Sequence, residues 1–507
     1  MKNERWIPWL AVAVALAAVL SSAWISSHVF ENVPHLEDEM AYVWQAKALA
    51  GGQITVPSPE CPSCFMVPFV VDANGQRSGK YPLPWPLVLS FGERFNLRGW
   101  VNPILAGLCG WLMFRLGSKL LNQRLGLLAE GLLAVSPFFL LLSGSLLGHI
   151  WTLFLTLSLF CAWLDTFTFT PVVPRWVSVL TAGLALGLLA LSRPMTAVGV
   201  SLPLLVHGIW LLVRAPGGKR AAVMVIGGLA GFLSLFHFVW QGVVSGDIFQ
   251  NPYQLWWVYD RIGFGEGVGL QTGGYTLLHG FSNLLFSLKT SGRDVLGWPL
   301  VFWLVAIPGY GRLQKQPGGR LVSAALPALV GMYLFYWVGA WVFGPRYYFE
   351  AMPAFVILVA CGFTWLSSRL PALCRRINFS PRVGKLAPWA LLVLLTVYNL
   401  GFYLPARLHE MTGLYGITRA QQAPFMTAAA LKKTPALVIV HLREEWTGYG
   451  GLLDLEDPFL KSPFIFSASH GLSNDLEVMR EFPERQVIHY YTDEPGIFYS
   501  QAKDGKP

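Results

Sequence analysis

The sequence predicts an α-helical polytopic membrane protein of about eleven transmembrane helices, with an amphipathic helix in its first outer loop and a small C-terminal α/β domain outside the membrane. Three observations predict it. Of the 507 residues, 54% are hydrophobic and 13% charged, where a soluble domain carries about 25% charged residues. The apolar residues gather in runs of spanning length. The basic residues fall between those runs on alternate sides, the arrangement that orients helices in a bilayer. The net charge of +9 therefore belongs to membrane loops and calls for no nucleic-acid partner.

The runs cover residues 6–25, 101–116, 125–142, 146–164, 176–191, 195–213, 221–243, 295–310, 321–343, 347–366 and 386–404. The first is preceded by Lys2 and Arg5 and followed by no small-residue cleavage site, so it reads as a retained span rather than a signal peptide. With the N-terminus in the cytoplasm, every inner loop is basic. These loops hold Arg115, Lys119 and Arg124; Arg175; Arg214, Lys219 and Arg220; Arg312, Lys315 and Arg320; and Arg369, Arg375, Arg376, Arg382 and Lys385. The outer turns carry a single Arg193 and a single Arg346. The expected location is the inner (plasma) membrane, multi-pass, with the C-terminus extracytoplasmic.

This divides the chain into a membrane domain, 1–405, and an extracytoplasmic domain, 406–507. In the latter, Ala436–His441 and Gln486–Tyr491 read as short strands between turn-rich segments. No internal repeat appears, so the inverted-repeat sign of many transporters is missing.

The outer loop 27–100 is the most informative stretch. His35 to Ala50 reads as an amphipathic helix, with Pro34 at its start and Gly51-Gly52 at its end. Met40, Val43, Trp44 and Lys47 fall at helical spacing, suited to a membrane interface. Glu37, Asp38 and Glu39 are consecutive, and adjacent helical residues point about 100° apart, so at most two can share a site. An acidic run also suits the first turn of any helix. Cys61-Pro62-Ser63-Cys64 reads first as a local disulfide in an oxidising compartment, with a redox pair or half a zinc site as alternatives. Lys80-Tyr81-Pro82-Leu83-Pro84-Trp85-Pro86 leads into an apolar stretch too short for a span, which fits a re-entrant or interfacial helix.

Three further outer segments carry polar residues. They are Ser143-Gly144-Ser145-Leu146-Leu147-Gly148-His149, Ser192-Arg193-Pro194 and Gly344-Pro345-Arg346-Tyr347-Tyr348. Arginine at a helix end commonly snorkels to headgroups. Yet charge at membrane depth is costly and marks function. Lys80, His149, Arg193 and Arg346 together read as a cationic pocket facing Asp38, suited to a lipid phosphate. In the loop 245–294, Trp256, Trp257 and Tyr259 read as an interfacial aromatic belt, with sugar stacking the second reading.

In this ordered set the chain resembles the integral-membrane glycosyltransferases of the C-type superfamily, close to the glycosyltransferase family 39 or protein O-mannosyltransferase-like proteins of bacteria. Asp38-Glu39 follows the first span as the family's Asp-Glu motif does, Lys80-Tyr81-Pro82-Leu83 is similar to its Lys-Pro-Pro-Leu-type loop, and Ser192-Arg193-Pro194 and Arg346-Tyr347-Tyr348 before Met352-Pro353-Ala354 follow in order. The resemblance covers about residues 1–405. It implies transfer of a sugar, with inversion, from a polyprenyl-phosphate donor in the membrane lipid to a protein, lipid or polysaccharide acceptor. Asp38 would be the catalytic base, and Glu39 would orient the acceptor. Lys80, Arg193, Arg346, Tyr347 and His149 would bind the donor phosphate. A divalent metal ion beside Asp38 stays open. Ser143, Ser145 and His149 stand where many relatives carry an acid, and the Cys61–Cys64 insertion lengthens the first loop. The rival readings are a transporter or flippase for lipid-linked sugars, and a non-catalytic envelope scaffold.

Overall fold

The computed structural model describes residues 4–171, 173–299, 302–339, 342–442 and 446–503. Lys2 of the basic flank, and Leu300, Val301, Ala340 and Trp341 of the expected eighth and ninth spans, lie outside the described residues. Each of the eleven apolar runs carries a helix. Among the described residues, seven helices are long and apolar enough to cross a membrane. They begin with α1 (Ile7–His28), before the loop helices α2 (Glu37–Ala50) and α3 (Pro84–Arg94). Next comes α4 (Arg98–Leu120), which packs along α1.

An eighth passage is made by α5 (Gln123–Ala134) and α6 (Pro137–Gly144), bent by 59°. Ser136-Pro137 explains the bend. Pro137 lacks the N–H to continue α5, and the Ser136 hydroxyl accepts from the Phe139 amide at 3.2 Å to start α6. Then follow α7 (His149–Phe167), α8 (Arg175–Ser192), α9 (Pro194–Arg214) and α10 (Gly217–Ser245). α7 is apolar on all sides and is buried along nearly its whole length, as a central helix must be.

The middle loop holds one helical turn, α11 (Tyr253–Trp256), and α12 (Leu277–Asp294). The expected spans 295–310 and 321–343 appear as α13 (Trp303–Leu313, 11 residues) and α14 (Gly319–Tyr333, 15 residues). Both are shorter than about 20 residues, the length that crosses a bilayer. Gly297, at a φ of 67°, and Pro299 delay the start of α13. Beyond Tyr333 the chain leaves the helix, and Tyr336 bridges to Ile262. The expected eleven spans thus appear as seven long apolar helices, one bent pair, and α4, α13 and α14. The bundle closes with α15 (Met352–Arg376), α16 (Pro381–Tyr398) and α17 (Leu404–Met411).

The first loop departs from its expected form. Met40, Ala41, Trp44 and Ala48 of α2 pack under the C-terminal domain, and Val43 and Ala46 pack on the helical bundle. Met40, Val43 and Trp44 are only 2–5% exposed. The expected interfacial helix is therefore a buried one, covered by protein on both sides. The Lys47 ammonium donates to the carbonyls of Glu456, at 2.9 Å, and Asp454. α3 is an 11-residue helix with one buried and one exposed apolar side, Trp85 and Leu89 buried and Leu87 and Phe91 exposed.

Between α2 and α3, β1 (Val56–Pro57), β2 (Val70–Ala73) and β3 (Gln76–Gly79) form an antiparallel sheet in the order β1–β3–β2. The β2–β3 turn is Asn74-Gly75, at φ 52° and 71°, the two positive values that a two-residue hairpin needs.

The C-terminal domain begins with short turns that include α18 (Ala428–Leu431). A parallel sheet follows, made of β4 (Ala436–His441), β5 (Phe464–Ala468) and β6 (Gln486–Tyr491) in the order β5–β4–β6. α19 (Gly450–Leu453) follows β4, and α20 (Leu472–Glu481) joins β5 to β6. Both faces of the sheet are buried, as parallel sheets require. Val438, Val440 and Phe466 pack toward α2, while Leu437, Ile439 and Ile465 pack against Phe65 and the Cys61–Cys64 segment.

Cys61 and Cys64 are joined in a disulfide. The Cys64 carbonyl accepts from the Ala468 amide at 2.7 Å, which seats this segment on the sheet. Replacing both cysteines by serine is expected to lower stability by about 2 kcal/mol, the loop-closure value for so short a ring. Denaturant unfolding in detergent, with and without reductant, reads this; an unchanged midpoint would mean that packing alone holds the segment.

Candidate functional site

A cavity of about 490 Å³ opens at the end of the bundle where the loops and the C-terminal domain meet. This lies within the ~300–1,000 Å³ range of small-molecule sites. Glu37, Asp38 and Tyr42 of α2 line it, with Lys80 and Tyr81 after β3, His149 at the start of α7 and Arg193 at the α8–α9 turn. Tyr253, Trp257 and Asp260 come from the middle loop, and Tyr336, Trp337, Arg346 and Tyr347 from the segment between α14 and α15.

Asp38 is held by two side chains in the cavity. Arg346 Nη1 donates to Asp38 Oδ2 at 3.2 Å, and the Tyr81 hydroxyl donates to Asp38 Oδ1. Burial alone would raise its pKa; the Arg346 guanidinium, the Tyr81 hydroxyl and Lys80 outweigh it and hold the carboxyl below the ordinary range. Arg346 lies over the Tyr347 ring, 5.4 Å from its centroid. Lys80 Nζ stands 3.6 Å from Asp260 Oδ2 and 3.4 Å from the centroid of Phe69. Burial lowers its pKa to about 8, against the pull of Asp260.

Arg193 makes a second cluster at the back of the same wall. It donates to Glu350 Oε1 at 3.1 Å, to the Tyr333 hydroxyl at 3.3 Å and to His149 Nδ1. Thr152 donates to the same Glu350 oxygen at 2.6 Å. The α8–α9 break is what brings Arg193 here, because Pro194 can begin a helix but not continue one.

Glu39 is placed elsewhere and does not line the cavity. Its Oε2 accepts from the amides of His35, at 2.8 Å, and Leu36, at 3.3 Å, and its Oε1 from the amide of Leu146, at 2.7 Å. Leu36 has no side-chain acceptor with which to cap α2, so Glu39 supplies the reaching-back half of a capping box. Burial pushes its carboxyl up to about 7, against those three amides. Its role is to hold α2 against the chain before α7, and of the acidic run it is Glu37 that lines the cavity with Asp38. The residues that the expected site brings into one cavity are therefore Asp38, Lys80, His149, Arg193, Arg346 and Tyr347. Cys61 and Cys64 lie apart from it, under the C-terminal sheet.

Sequence reasoning missed Tyr81, Asp260 and Glu350 as partners, and assigned Trp257 to a lipid-facing belt. Trp257 instead lines the cavity with Tyr253. Glu350 lies four residues after Arg346, one turn away, a spacing that marks it as a neighbour of the site. For a metal ion the donor set does not fit. Among the described residues no three His, Cys, Asp or Glu side chains converge on a common point, and Asp38 and Asp260 each face a cation.

No protein-family model matches the chain, and no curated protein sequence does. Solved structures match its fold. ArnT from Cupriavidus metallidurans, in a crystal structure bound to undecaprenyl phosphate, aligns over 96% of this chain and 89% of its own, at 13% identity and a TM-score of 0.56. Its apo form aligns over 97% and 90%, at 13% identity and a TM-score of 0.55. The oligosaccharyltransferase AglB from Archaeoglobus fulgidus, in complex with an inhibitory peptide and a dolichol-phosphate, aligns over 96% and 70%, at 12% identity and a TM-score of 0.50. Both proteins have the C-type glycosyltransferase (GT-C) fold. The expected C-type architecture is the one observed.

Proposed function

From this shared fold we propose that the protein is a membrane glycosyltransferase, moving a sugar from a polyprenyl-phosphate-linked donor to an acceptor hydroxyl on the extracytoplasmic side. One observation carries the reading: a single cavity holds a carboxylate oriented by an arginine and a tyrosine, Asp38, together with a buried ammonium, Lys80. The lipid phosphates bound by ArnT and AglB support a donor of that class.

In the proposed reaction the acceptor oxygen attacks the anomeric carbon of the sugar. The bond from that carbon to the phosphate oxygen breaks, its electron pair leaves with the phosphate, and the hydroxyl proton passes to Asp38. The configuration inverts. Arg346 keeps Asp38 ionised and aimed. Lys80, with Arg346 and Arg193, meets the charge that grows on the leaving phosphate, and Tyr347 and His149 supply further hydrogen bonds along that wall. Trp257 and Tyr253 offer ring faces to the sugar. No step is assigned to a metal ion.

The test is direct. Purified protein given labelled polyprenyl-phosphate sugars should release free polyprenyl phosphate, and no release from any donor would refute the reading. The pH profile is a second check. Asp38 stays ionised below the ordinary carboxylate range, so kcat/KM should be flat through neutral pH on its acid side. As pH rises through about 8, Lys80 loses its proton, and kcat/KM should fall. A fall only near the ordinary lysine value of about 10.4 would mean that burial does not shift Lys80, and no fall up to that pH would place phosphate binding on another group.

A further inference from the structure

Asp260 has no role in the reaction as proposed, yet it stands where the donor phosphate would be expected. Its side chain is 3% exposed, and Oδ2 faces the Lys80 ammonium, itself 2% exposed, at 3.6 Å. Four ring faces surround the ammonium, and the charges of Asp38 and Glu37 act on it from beyond ion-pair distance. Phe69, Trp257, Tyr253 and Tyr81 have centroids 3.4, 4.8, 5.1 and 5.4 Å away. Ring faces attract a cation but carry no charge. Among the described residues Asp260 is the one carboxylate at ion-pair distance from Lys80.

Lys80 is not what holds Asp260 in place. Its Oδ1 accepts from Trp337 Nε1 at 3.1 Å and from the Tyr336 hydroxyl at 3.5 Å. Both donors lie on the segment after α14, away from the hairpin that carries Lys80. A phosphate that takes the ammonium therefore does not release Asp260, and the carboxyl, whose pKa burial raises and Lys80 lowers, remains beside it. Its negative charge, or the cost of protonating it, opposes added charge on the phosphate.

The two phosphates of the proposed reaction differ in charge. The donor is a phosphodiester with one negative charge. The product is a phosphomonoester, whose second proton is lost with a pKa near 6, so it carries close to two charges at pH 7.5. Like charges a few ångströms apart repel strongly in a buried, low-dielectric site. We propose that Asp260 counts phosphate charge: it lets the singly charged donor reach Lys80 and disfavours the doubly charged product, so that spent lipid leaves. This rests on the glycosyltransferase reading and adds a residue that sets selectivity between donor and product.

The full-length protein in detergent can be titrated at pH 7.5 with a polyprenyl monophosphate and with its methyl phosphodiester of the same chain length. The wild type should bind the diester at least as tightly as the monoester, although a plain cationic pocket would favour the higher charge. Asp260→Asn keeps an acceptor for Trp337. It should tighten monoester binding by about tenfold, close to 1.4 kcal/mol, and change diester binding far less. A wild type that prefers the monoester, or equal shifts for both lipids in Asp260→Asn, would overturn the proposal. If neither lipid binds the wild type, or if Lys80→Ala leaves binding unchanged, the phosphate site itself is misplaced and the inference falls with it. If binding needs Lys80 and only the monoester-to-diester ratio fails to move, the site stands and the charge-counting role alone is wrong.

Discussion

Asp38→Asn should lower sugar transfer by roughly 10²–10⁴-fold, the range that removal of a general base commonly costs. Asparagine has nearly the shape of aspartate and keeps a carbonyl for Arg346, so the cavity should survive. What it loses is the capacity to take the acceptor proton. Release of labelled polyprenyl phosphate would be followed, with donor binding and unfolding measured on the same samples. Equal release by wild type and Asp38→Asn, both folded, would remove Asp38 from the chemistry. The acidic run supplies its own control. Glu39→Gln should disturb stability more than turnover, because Glu39 serves the amides of His35, Leu36 and Leu146 and does not reach the cavity.

The largest expected effect on stability is at Arg98. Its guanidinium makes a two-pronged contact with Asp454, at 2.7 and 2.9 Å, and also donates to Glu93 and to the carbonyl of Asn32. One side chain thus ties α3, α4, the first loop and the C-terminal domain together. Arg98→Ala leaves Asp454 buried with the Lys47 ammonium at 4.0 Å and the neutral Gln422 amide donating at 3.3 Å. Removing one partner of a buried pair costs about 3–5 kcal/mol. The expected result is a lower unfolding midpoint and faster proteolysis of the chain beyond residue 406. Arg98→Lys should recover only part of the loss, since an ammonium cannot grip both oxygens at once. A midpoint unmoved in Arg98→Ala would show that Lys47 and Gln422 are sufficient for Asp454.

Much of this architecture was legible in the sequence, for physical reasons. Eleven apolar runs became helices because a bilayer leaves the backbone few alternatives. The alternating stretches 436–441 and 486–491 became β4 and β6. The misreadings share one cause: composition and local pattern say that a side chain must be buried, without saying against what. Met40, Val43 and Trp44 looked suited to a lipid surface and are covered by the C-terminal sheet and the bundle. Trp257 looked like a lipid anchor and lines the cavity. The choice between Glu37 and Glu39 beside Asp38 could not be made from a helical wheel. It depended on Leu36, whose lack of a capping side chain draws Glu39 back to the helix start. The Asn74-Gly75 hairpin turn, by contrast, was visible in the residues themselves and went unread among the louder signals around it. Asp260 and Glu350 are of another kind. Each meets a cation more than a hundred residues away in the chain, so its partner is not announced locally, although Glu350 stands one turn from Arg346.

The placement of α2 has a consequence for the order in which the protein becomes competent. Lys47, on the helix that bears Asp38, reaches Asp454 and Glu456, some 407 and 409 positions later in the chain. During synthesis that helix emerges well before the strands that cover Met40 and Trp44. The full set of contacts around the acid therefore exists only after the bundle is inserted and the final strands have paired. A chain stopped short of β4 would carry Asp38 without the sheet that covers its helix.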